Sequence, residues 1–512
     1  MSFKNRRAIQ EAVLREKKMG TPDFKIGKRY GVTFKYIERL ITKTRGLNVS
    51  SLNINKKVKG FSPKNFQEEQ ATVWSFKQRG NWATHSGEYR GNWSPYIPRN
   101  VILKYSKPGE LVLDCFCGGG TTAIECKLLG RRCIAFDIND KAIELAKRNV
   151  GFAVPQEINF SDEKGVFTVY EPELLVADAR DMSFLKDDAV DLICTHPPYA
   201  NIIHYTDSKE GDLSFLDVDD FLKEMGKVAK ESFRVLKPGR KCAILIGDTR
   251  RRKHIIPLGF KLMDVYLTAG FRLKELVIKR QHNCKTTGFW YERSTKHNFL
   301  LLAHEYLLVF EKPVSSFPFW VREGIQATNL LIPVFERPSL KRKMDKLQTT
   351  TVWIFPEKEF EACFNKNVID RYSEGKGYSV ISFAAHIGNV KDLFQRKSGR
   401  KDHLVLIKSP IFNNCCSIAE IELYLENIKK FAKEQLTRLE NGGFLAIQIQ
   451  DVRINGYIEP LAKRLIDILT AEDLWLKEIV VVVQEKRDPG PQVLGEDLKI
   501  VHQYLVVYEV KK

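Results

Sequence analysis

The chain has 512 residues, 43% hydrophobic and 11% aromatic, so it can bury a large core in several domains of about 100 to 200 residues each. This composition excludes a disordered or collagen-like protein, and no apolar run reaches the roughly 18 residues that a membrane-spanning helix needs. The chain carries 82 basic and 63 acidic side chains, an excess of +19, and +12 of it lies in residues 1–60. We therefore expect a basic module that binds a polyanion, joined to a body with less charge.

The N-terminal residues are basic and lack the apolar core of a signal peptide, which predicts a cytoplasmic protein without a membrane partner. Several of the ten cysteines lie in apolar, strand-like runs, where a reduced thiol packs as a small hydrophobic group. These are Cys115, Cys133, Cys194 and Cys242. We expect no disulfide bonds.

Residues 1–50 are patterned as short helices. Residues 5–18 predict a first helix, and Thr21-Pro22-Asp23 predicts the start of a second helix that ends at Gly31. Thr33 would cap a third, in which Ile37 and Leu40 share an apolar face with neighbouring residues. Such short helices joined by a glycine-containing turn resemble a helix-turn-helix, although a three-helix scaffold without DNA contacts has the same pattern. The polar face supplies the candidate DNA-binding residues Lys35, Tyr36, Arg39 and Lys43.

Residues 51–75 show no firm period and predict a linker or arm. The next strong signal is a buried strand, Leu111 to Leu113, that runs into a glycine-rich turn, Asp114 to Thr122, followed by a helix. A second strand, from Cys133 to Phe136, ends at Asp137. A glycine turn lets the backbone approach a ligand, and an acid that closes the next strand can bind a ribose diol.

Dehydrogenases also use glycine turns at this place in the fold. Here, however, the glycine spacing differs from the dinucleotide fingerprint, and no strongly cationic phosphate-binding group follows it. A nucleoside ligand without phosphates therefore fits the sequence better.

A third apolar strand, Val190 to Cys194, leads into Thr195-His196-Pro197-Pro198-Tyr199. Two prolines form a stiff loop at the carboxyl end of the strand, where open α/β sheets bind ligands. With the glycine turn, this loop resembles the amino-methyltransferases of DNA, which methylate adenine N6 or cytosine N4 with S-adenosyl-L-methionine. The resemblance covers about residues 74–313, and it implies a Rossmann-like class I methyltransferase domain of the α/β class.

The resemblance also implies roles for individual residues. Trp93, Ser94 and Pro95 would contact the methionine part of the cofactor, Asp137 its ribose and Asp178 its adenine. The rest of the cofactor loop would be Asp114, Phe116, Gly118, Gly120 and Thr121. The catalytic loop would be His196, Pro197, Pro198 and Tyr199. Within it, the His196 side chain and the Pro197 carbonyl would accept hydrogen bonds from the amine, and Tyr199 would stack on a flipped-out base.

One residue departs from the family, which usually has Asp, Asn or Ser where this chain has His196. A neutral imidazole offers one acceptor nitrogen and a protonated imidazole offers none. We therefore expect methyl transfer to fall as the pH drops through the pKa of His196. The target, adenine N6 or cytosine N4, stays open, and so does the alternative of a loop histidine in an inactive enzyme.

Residues 281–298 interrupt two predicted strands and would overhang the site. The candidates for DNA contacts in this segment are Lys285, Trp290 and Arg293. A plain hairpin loop is the rival interpretation. The irregular spacing of His282, Cys284 and His297 does not favour a metal site, so we expect no metal.

A shift of 203 positions aligns residues 228–278 with residues 431–481 without a gap, and 19 of these 51 positions are identical. Such self-similarity predicts a duplicated unit. The second copy has no glycine turn, and Lys408-Ser409-Pro410-Ile411 stands where the first has His196 to Tyr199. We therefore expect a degenerate second methyltransferase-like α/β domain. The predicted domains are residues 1–50, a linker at 51–75, a catalytic domain at 76–335 and the degenerate copy at 345–512.

Together these features predict a DNA amino-methyltransferase that acts on double-stranded DNA in the cytoplasm of a bacterium or archaeon, near the nucleoid. A cognate restriction nuclease would be a further partner. An RNA amino-methyltransferase and a non-catalytic DNA-binding regulator that retains the cofactor fold are the alternatives. The sequence leaves open the oligomeric state and the role of the second copy, which could mimic a dimer partner, complete a DNA groove, recognise sequence or act as a scaffold.

Overall fold

A computed structural model describes most of the chain. The described residues are 3–18, 21, 23–32, 36–37, 40, 58, 60–87, 89, 91–154, 168–200, 211–251, 253–282, 291, 294, 296–314, 347–384, 389–396, 401–409, 417–469, 473–485 and 497–511. Within these ranges, no helix is both long enough and apolar enough to cross a membrane.

The N-terminal module contains helices α1 (Phe3–Lys18) and α2 (Asp23–Tyr30), as the sequence predicts. Its small core consists of Val13, Ile26, Ile37 and Leu40. The Tyr30 hydroxyl donates a hydrogen bond of 2.7 Å to Glu16, which ties α2 to the end of α1. Most of the predicted third helix lies outside the described residues, so a helix-turn-helix remains a prediction.

The first unit (residues 60–314) is built on an eight-stranded sheet in the order β1-β9-β10-β6-β5-β2-β3-β4. Its strands are β1 (Val73–Ser75), β2 (Leu111–Asp114), β3 (Arg132–Asp137), β4 (Glu173–Val176), β5 (Val190–Thr195), β6 (Leu236–Ile246), β9 (Arg272–Arg280) and β10 (His304–Glu311). A separate hairpin contains β7 (Thr249–Arg251) and β8 (His254–Ile256). The helices are α3 (Tyr96–Tyr105), α4 (Thr121–Leu128), α5 (Asp140–Val150), α6 (Val218–Val235) and α7 (Leu258–Thr268).

Strands β6, β5, β2, β3 and β4 run parallel, whereas β10 is antiparallel to both of its neighbours. All six residues of β5 are buried, which explains its mostly apolar sequence, and its one charged residue, Asp191, accepts the Leu111 N–H and pairs with Lys237. Local signals also fix the helix starts, since the side chains of Asn139 and Asp217 accept backbone N–H groups at the first turns of α5 and α6. The predicted Rossmann-like methyltransferase fold is confirmed.

The prediction of a linker over residues 51–75 is wrong for its last three residues. Val73–Ser75 forms strand β1, which pairs in parallel with β9, and Trp74 is buried. The Trp74 indole N–H donates to the carbonyl of Ala71. A strand of three residues is too short to show a period in the sequence.

The second unit (residues 347–511) repeats this architecture, with the strand order β11-β18-β19-β15-β14-β12-β13. Its strands are β11 (Val352–Pro356), β12 (Tyr378–Ala384), β13 (Asn389–Arg396), β14 (Asp402–Lys408), β15 (Leu439–Ile449), β18 (Leu474–Glu485) and β19 (His502–Val510). Its hairpin contains β16 (Val452–Ile454) and β17 (Tyr457–Glu459), and its helices are α8 (Phe360–Tyr372), α9 (Ile418–Leu436) and α10 (Leu461–Ile468). The predicted second methyltransferase-like unit is confirmed.

The two units differ where the cofactor would bind. In the first, the glycine turn and α4 connect β2 to the parallel strand β3, whereas in the second, β12 pairs with an antiparallel strand, β13. At the end of β14 the buried Lys408 ammonium donates to Glu361 and lies 5.0 Å from the centre of the Phe364 ring. Burial lowers the pKa of Lys408 from its ordinary value, and Glu361 acts in the opposite direction. An ion pair thus fills the place that corresponds to His196.

The units contact each other through equivalent residues in both directions. The guanidinium of Arg250 in the first unit pairs with Glu478 in the second, and Arg453 of the second pairs with Glu275 of the first. Each arginine and each glutamate is 203 positions from its equivalent, the same shift that aligns the repeat.

The same reciprocity holds at the start of each unit. The Thr72 hydroxyl is 2.8 Å from Nδ1 of His502, and the Thr351 hydroxyl is 2.9 Å from Nδ1 of His304. The two sheets therefore meet across an internal pseudo-two-fold axis, with the geometry of an isologous dimer interface.

Candidate active site

The candidate site is a cleft at the carboxyl ends of β2, β3 and β5, where the strand order reverses between β2 and β5. This is the position at which open α/β sheets bind ligands. The cleft encloses about 720 Å³, including its open mouth. The predicted residues that line it are Trp93, Phe116, Gly118, Asp137, Asp178, His196 and Pro198.

The glycine turn approaches the segment before α3 too closely for side chains. A Cβ atom on Gly119 would lie 2.6 Å from Nδ2 of Asn92, and one on Gly118 would lie 3.1 Å from the Tyr89 ring. Gly118 also has a φ of 48°, which residues with a Cβ rarely adopt. The Gly119 N–H donates to Oδ1 of Asn92 at 3.1 Å, so Asn92 fixes the turn against the cleft.

Asp137 ends β3 with its carboxylate facing the glycine turn. Its Oδ2 accepts the Gly118 N–H at 3.0 Å and its Oδ1 accepts the Asn139 N–H at 2.9 Å. Burial raises the pKa of Asp137 to about 6, and these two hydrogen bonds act in the opposite direction. A carboxylate has about four acceptor positions, so Asp137 retains capacity for the hydroxyls of a ribose.

Asp178 also lines the cleft, but its carboxylate holds a cation. Its Oδ2 accepts from Nη2 of Arg180 at 2.6 Å, and Oδ1 accepts from Nε of the same side chain at 3.0 Å. Arg180 in turn pairs with Glu224. Asp178 is therefore oriented by an ion-pair network that the sequence motif alone does not reveal.

Five of the predicted cofactor residues do not line the cleft. These are Ser94, Pro95, Asp114, Gly120 and Thr121. Asp114 is buried between β2 and β5, where it accepts the Thr195 hydroxyl at 2.7 Å and the Phe116 N–H at 3.2 Å. Burial raises the pKa of Asp114 to about 6. The prediction that Asp114 contacts the cofactor is therefore wrong. Its carboxylate connects β2 to β5 and holds the start of the glycine turn through the Phe116 N–H.

The other four residues also support the loop from within the fold. The Ser94 hydroxyl donates to the carbonyl of Arg79, and Pro95 directly precedes α3. Gly120 and Thr121 lie at the start of α4, and a Cβ on Gly120 would lie 3.1 Å from that of Ala146. The sequence motif therefore contains residues of two kinds, those that face the cleft and can reach a ligand and those that only hold the loop in place.

His196 lies at the floor of the cleft between aromatic rings. Its imidazole stacks on the Trp93 indole, with ring centres 5.5 Å apart and planes 21° apart. Its Nε2 is 3.0 Å from the Tyr199 hydroxyl, which donates to Glu305 at 2.7 Å. The Lys279 ammonium pairs with the other oxygen of Glu305 at 2.8 Å. We call these four polar residues, His196, Tyr199, Glu305 and Lys279, the His196 network.

Burial lowers the pKa of His196 from its ordinary value to about 4, while Glu305 and a hydrogen bond with the Gly91 backbone act in the opposite direction. The neutral ring that the sequence hypothesis requires is thus present at neutral pH. A neutral ring has a single N–H. Since the Tyr199 hydroxyl donates to Glu305, that N–H lies on Nε2 and donates to the Tyr199 oxygen, which leaves Nδ1 as the acceptor nitrogen of the ring.

Tyr199 was predicted to stack on a base. In the structure its ring is half-buried against the core of the first unit and its hydroxyl is anchored on Glu305. Glu305 and Lys279 were missed because they lie on β10 and β9, far along the chain, without a motif around them. Arg79 was also missed, although its guanidinium holds the carbonyls of Asn92 and Trp93 at 2.6 and 2.7 Å.

Most of the predicted DNA-binding residues lie outside the described residues. These are Lys35, Arg39, Lys43, Lys285, Trp290 and Arg293. Tyr36 is described, and it is half-buried against the core of the N-terminal module, less available to a ligand than the predicted polar face implies.

The lining of the cleft fits a cationic nucleoside without phosphates. Asp137, Asp178 and Asp212 contribute carboxyl groups, while Trp93 and Phe116 contribute flat apolar surfaces. Among the described lining residues there is no lysine or arginine that could bind a phosphate. The sulfonium, ribose and adenine of S-adenosyl-L-methionine match this combination of acids and aromatic rings.

We expect Asp137→Ala to weaken binding of S-adenosyl-L-methionine about 5- to 150-fold, because a lost buried hydrogen bond costs roughly 1 to 3 kcal/mol. Calorimetric titration measures this affinity, and it should also give one site per wild-type chain, since the second unit has no glycine turn. Glu144→Ala, an exposed charge on α5, is the matched control and should leave affinity unchanged. Equal affinities for the two variants, or two sites per chain, would contradict this assignment.

Comparisons with known proteins agree with the geometry. A profile of the DNA methylase family matches residues 16–148 and 190–377, together more than half of the chain, and a methyltransferase domain profile matches residues 113–244. The Type II methyltransferase M.MthZI of Methanothermobacter thermautotrophicus is 28% identical over 153 residues, which are 26% of this chain and 43% of the relative. A tRNA (guanine(10)-N2)-dimethyltransferase of the same species is 34% identical over 112 residues, which are 22% of this chain and 29% of the relative.

The chain therefore matches less than half the length of either of these relatives. Among solved structures, a SAM-dependent methyltransferase of Methanosarcina mazei aligns with 42% of this chain and 98% of its own, at 18% identity and a TM-score of 0.28.

Proposed function

Because the chain belongs to the DNA methylase family, whose cofactor is S-adenosyl-L-methionine, we propose that it methylates an exocyclic amine of a base in double-stranded DNA, at adenine N6 or cytosine N4. The observation that carries the proposal is the arrangement of the cleft. Asp137, a carboxylate suited to a ribose, lines the same cavity as Pro198 and the neutral His196 of the Pro-Pro-Tyr loop. Cofactor and acceptor amine would therefore meet at His196.

The bound cofactor supplies a methyl group on a positively charged sulfur. The residues of the chain would then have to make the amine a better nucleophile, because conjugation to the base ring withdraws its lone pair. Hydrogen bonds from the amine N–H groups to His196 and to the Pro197 carbonyl would draw the nitrogen toward tetrahedral geometry. Asp137 and Asp178 would orient the nucleoside part, and the Trp93 ring would shield the reacting atoms from water.

The base must leave the duplex to reach such a cleft, and we propose that it stacks on Tyr199, whose ring centre is 5.5 Å from that of His196. The excess of positive charge in residues 1–60 would supply phosphate contacts. In this proposal residues 1–50 form a helix-turn-helix module, residues 76–335 the catalytic domain and residues 345–512 the degenerate copy. A cognate restriction nuclease would follow from the Type II function named for M.MthZI.

Methylation of an RNA amine is the second candidate, favoured by the similarity to the tRNA (guanine(10)-N2)-dimethyltransferase. RNA amino-methyltransferases would need the same cofactor cleft and the same kind of acceptor loop. The third candidate, a regulator that keeps the fold without catalysis, is disfavoured because the cleft retains its carboxylates and a neutral His196.

A transfer assay with tritium-labelled S-adenosyl-L-methionine separates these candidates. The full chain is incubated with matched duplex DNA and structured RNA, and the labelled base is identified after digestion. We expect label in DNA, as N6-methyladenine or N4-methylcytosine. Label in RNA alone would favour the second candidate, and cofactor binding without transfer to either polymer would favour the regulator.

A further inference from the structure

The internal pseudo-two-fold axis relates two contacts between the units, in each of which the hairpin of one unit meets the sheet of the other. We call these two places corners, and different side chains form them. At one corner, the hairpin residue Tyr457 of the second unit faces Arg272 of the first. The Arg272 guanidinium lies 3.6 Å from the centre of the Tyr457 ring, and the Tyr457 hydroxyl donates to Glu311. This corner is closed by stacked side chains.

At the other corner, the equivalent residues are His254 of the first unit and Trp475 of the second. The two ring centres are 5.1 Å apart, and the rings meet edge to face. This contact does not cover the indole, because 41% of Trp475 remains exposed. A cavity of about 680 Å³, open to solvent, is lined by Arg251, His254, Ile255, Ile256 and Trp475. We call it the Trp475 groove.

The rim of the Trp475 groove is basic. Arg251 and Lys253 are exposed on the hairpin of the first unit, and Lys253 turns the chain with a φ of 73°. The equivalent residues of the repeat are Ile454 and Gly456, so these cations are not required by the hairpin fold. The Lys511 ammonium lies 3.7 Å from the centre of the Trp475 ring and adds a third positive charge.

The anion at this corner is already neutralised. Glu509 makes a hydrogen bond with His254 at 2.9 Å and pairs with Lys477 at 3.3 Å and Lys511 at 3.9 Å, and these contacts hold its pKa down at about 2. Arg251, Lys253 and Lys511 outnumber the exposed Asp473 just before β18, so these described residues around the groove carry an excess of positive charge beside the partly exposed Trp475 indole.

The groove is connected to the candidate active site by a short stretch of chain. The hairpin starts three residues after the end of β6, and Gly247 in between lies against the catalytic loop. A Cβ on Gly247 would be 3.0 Å from the Tyr199 ring. Both features thus lie at the carboxyl edge of the first sheet, the edge from which a substrate must approach.

We propose that the Trp475 groove binds a strand of the nucleic acid substrate, with phosphates at Arg251 and Lys253 and a sugar or base against Trp475. Cations that follow a backbone, combined with an aromatic ring for stacking, are the combination that binds nucleic acid strands. The proposal rests on the proposed function in one respect, namely that the substrate is a nucleic acid. In this proposal the second unit takes part in substrate binding, because it supplies the Trp475 ring.

The test compares DNA binding by the full-length wild type, Arg251→Ala/Lys253→Ala and Trp475→Ala over a range of salt concentrations. We expect the double variant to bind more weakly and to lose about 0.9 from the slope of log affinity against log salt for each phosphate contact removed. Trp475→Ala should weaken binding with an unchanged slope, and Trp475→Phe should recover most of the affinity because it retains a ring. The control Lys429→Ala/Lys430→Ala removes the same charge from the exposed face of α9 and should behave as wild type.

Affinity and slope equal to the control for both Arg251→Ala/Lys253→Ala and Trp475→Ala, with structured RNA as well as with duplex DNA, would overturn the proposal, provided that each variant binds one cofactor per chain. In that case wild-type methyl transfer to DNA would still support the proposed function. Conversely, a wild-type chain that binds neither DNA nor RNA would overturn both. Weaker binding of RNA but not of DNA by the variants would identify RNA as the polymer in the groove.

Discussion

We expect His196→Ala to lower methyl transfer by about 100-fold or more, the loss that follows when a preorganised hydrogen-bonding group is removed at a reaction centre. Its affinity for S-adenosyl-L-methionine should change little, because the hydrogen bonds of Asp137 and the glycine turn do not involve the imidazole. Single-turnover transfer from the labelled cofactor measures the first quantity, and calorimetry measures the second. A variant that transfers methyl groups at the wild-type rate would show that His196 is only a packing residue.

The pH profile distinguishes the chemical role of His196 from its packing role. Because burial lowers the pKa of the folded protein's imidazole to about 4, the neutral ring persists from pH 8 down to pH 5. At cofactor concentrations that keep the chain saturated even after Asp137, whose pKa is raised to about 6, gains its proton, transfer should hold over that range and fall only as the ring gains its proton near pH 4. His196→Asn keeps an acceptor that does not titrate, so its residual activity should lack that step. A wild-type midpoint near 6.5, the ordinary value for histidine, would contradict the buried environment.

The central strands could be predicted from the sequence because they are buried on both faces. Strands β2, β3 and β5 read as mostly apolar runs, interrupted in β5 by Asp191, and the loops after β2 and β5 carry glycine and proline, whose backbone constraints are strong. Asp137 and His196 follow directly from these patterns. Strand β1 could not be found in the same way, because it is short and is stabilised by pairing with β9, more than 200 positions later.

The residues that hold Tyr199 and His196 in place could not be predicted from the sequence, because they lie far from them along the chain. Glu305 and Lys279 reach the His196 network from two strands, and only tertiary structure places them beside Tyr199. The prediction that Asp114 contacts the cofactor was wrong, because a motif identifies the residue but not the direction in which its side chain points. Its carboxylate points to Thr195 and not into the cleft.

The repeat predicted the second unit but not the way in which the units meet. Arg250 and Glu275 are identical to their equivalents Arg453 and Glu478, and this identity in the sequence is compatible with ordinary structural retention. The structure shows that each arginine pairs across the interface. Each unit therefore carries both halves of a self-complementary contact, and the second unit offers the first what another copy of the first would offer.

Glu478→Ala should destabilise the fold by about 3 to 5 kcal/mol, the cost of removing one partner of a buried ion pair. The Glu478 carboxylate is fully buried and accepts hydrogen bonds from Arg250 and from the Leu300 N–H. Its loss leaves a guanidinium that is only 12% exposed, together with an unpaired backbone donor, at the junction of the two sheets. Glu275→Ala, the equivalent change with Arg453 and the Leu498 N–H, should have an effect of similar size.

Urea unfolding followed by circular dichroism measures these changes. The control is Glu422→Ala, because Glu422 pairs with Arg464 but is 54% exposed, so the loss there should be about 0 to 1 kcal/mol. The exchange variant Arg250→Glu/Glu478→Arg should recover part of the stability, since it restores opposite charges across the same junction. If Glu478→Ala and Glu275→Ala were no more destabilising than Glu422→Ala, the two ion pairs would not hold the units together. The reciprocal contacts would then reflect only a shared ancestry of the two units.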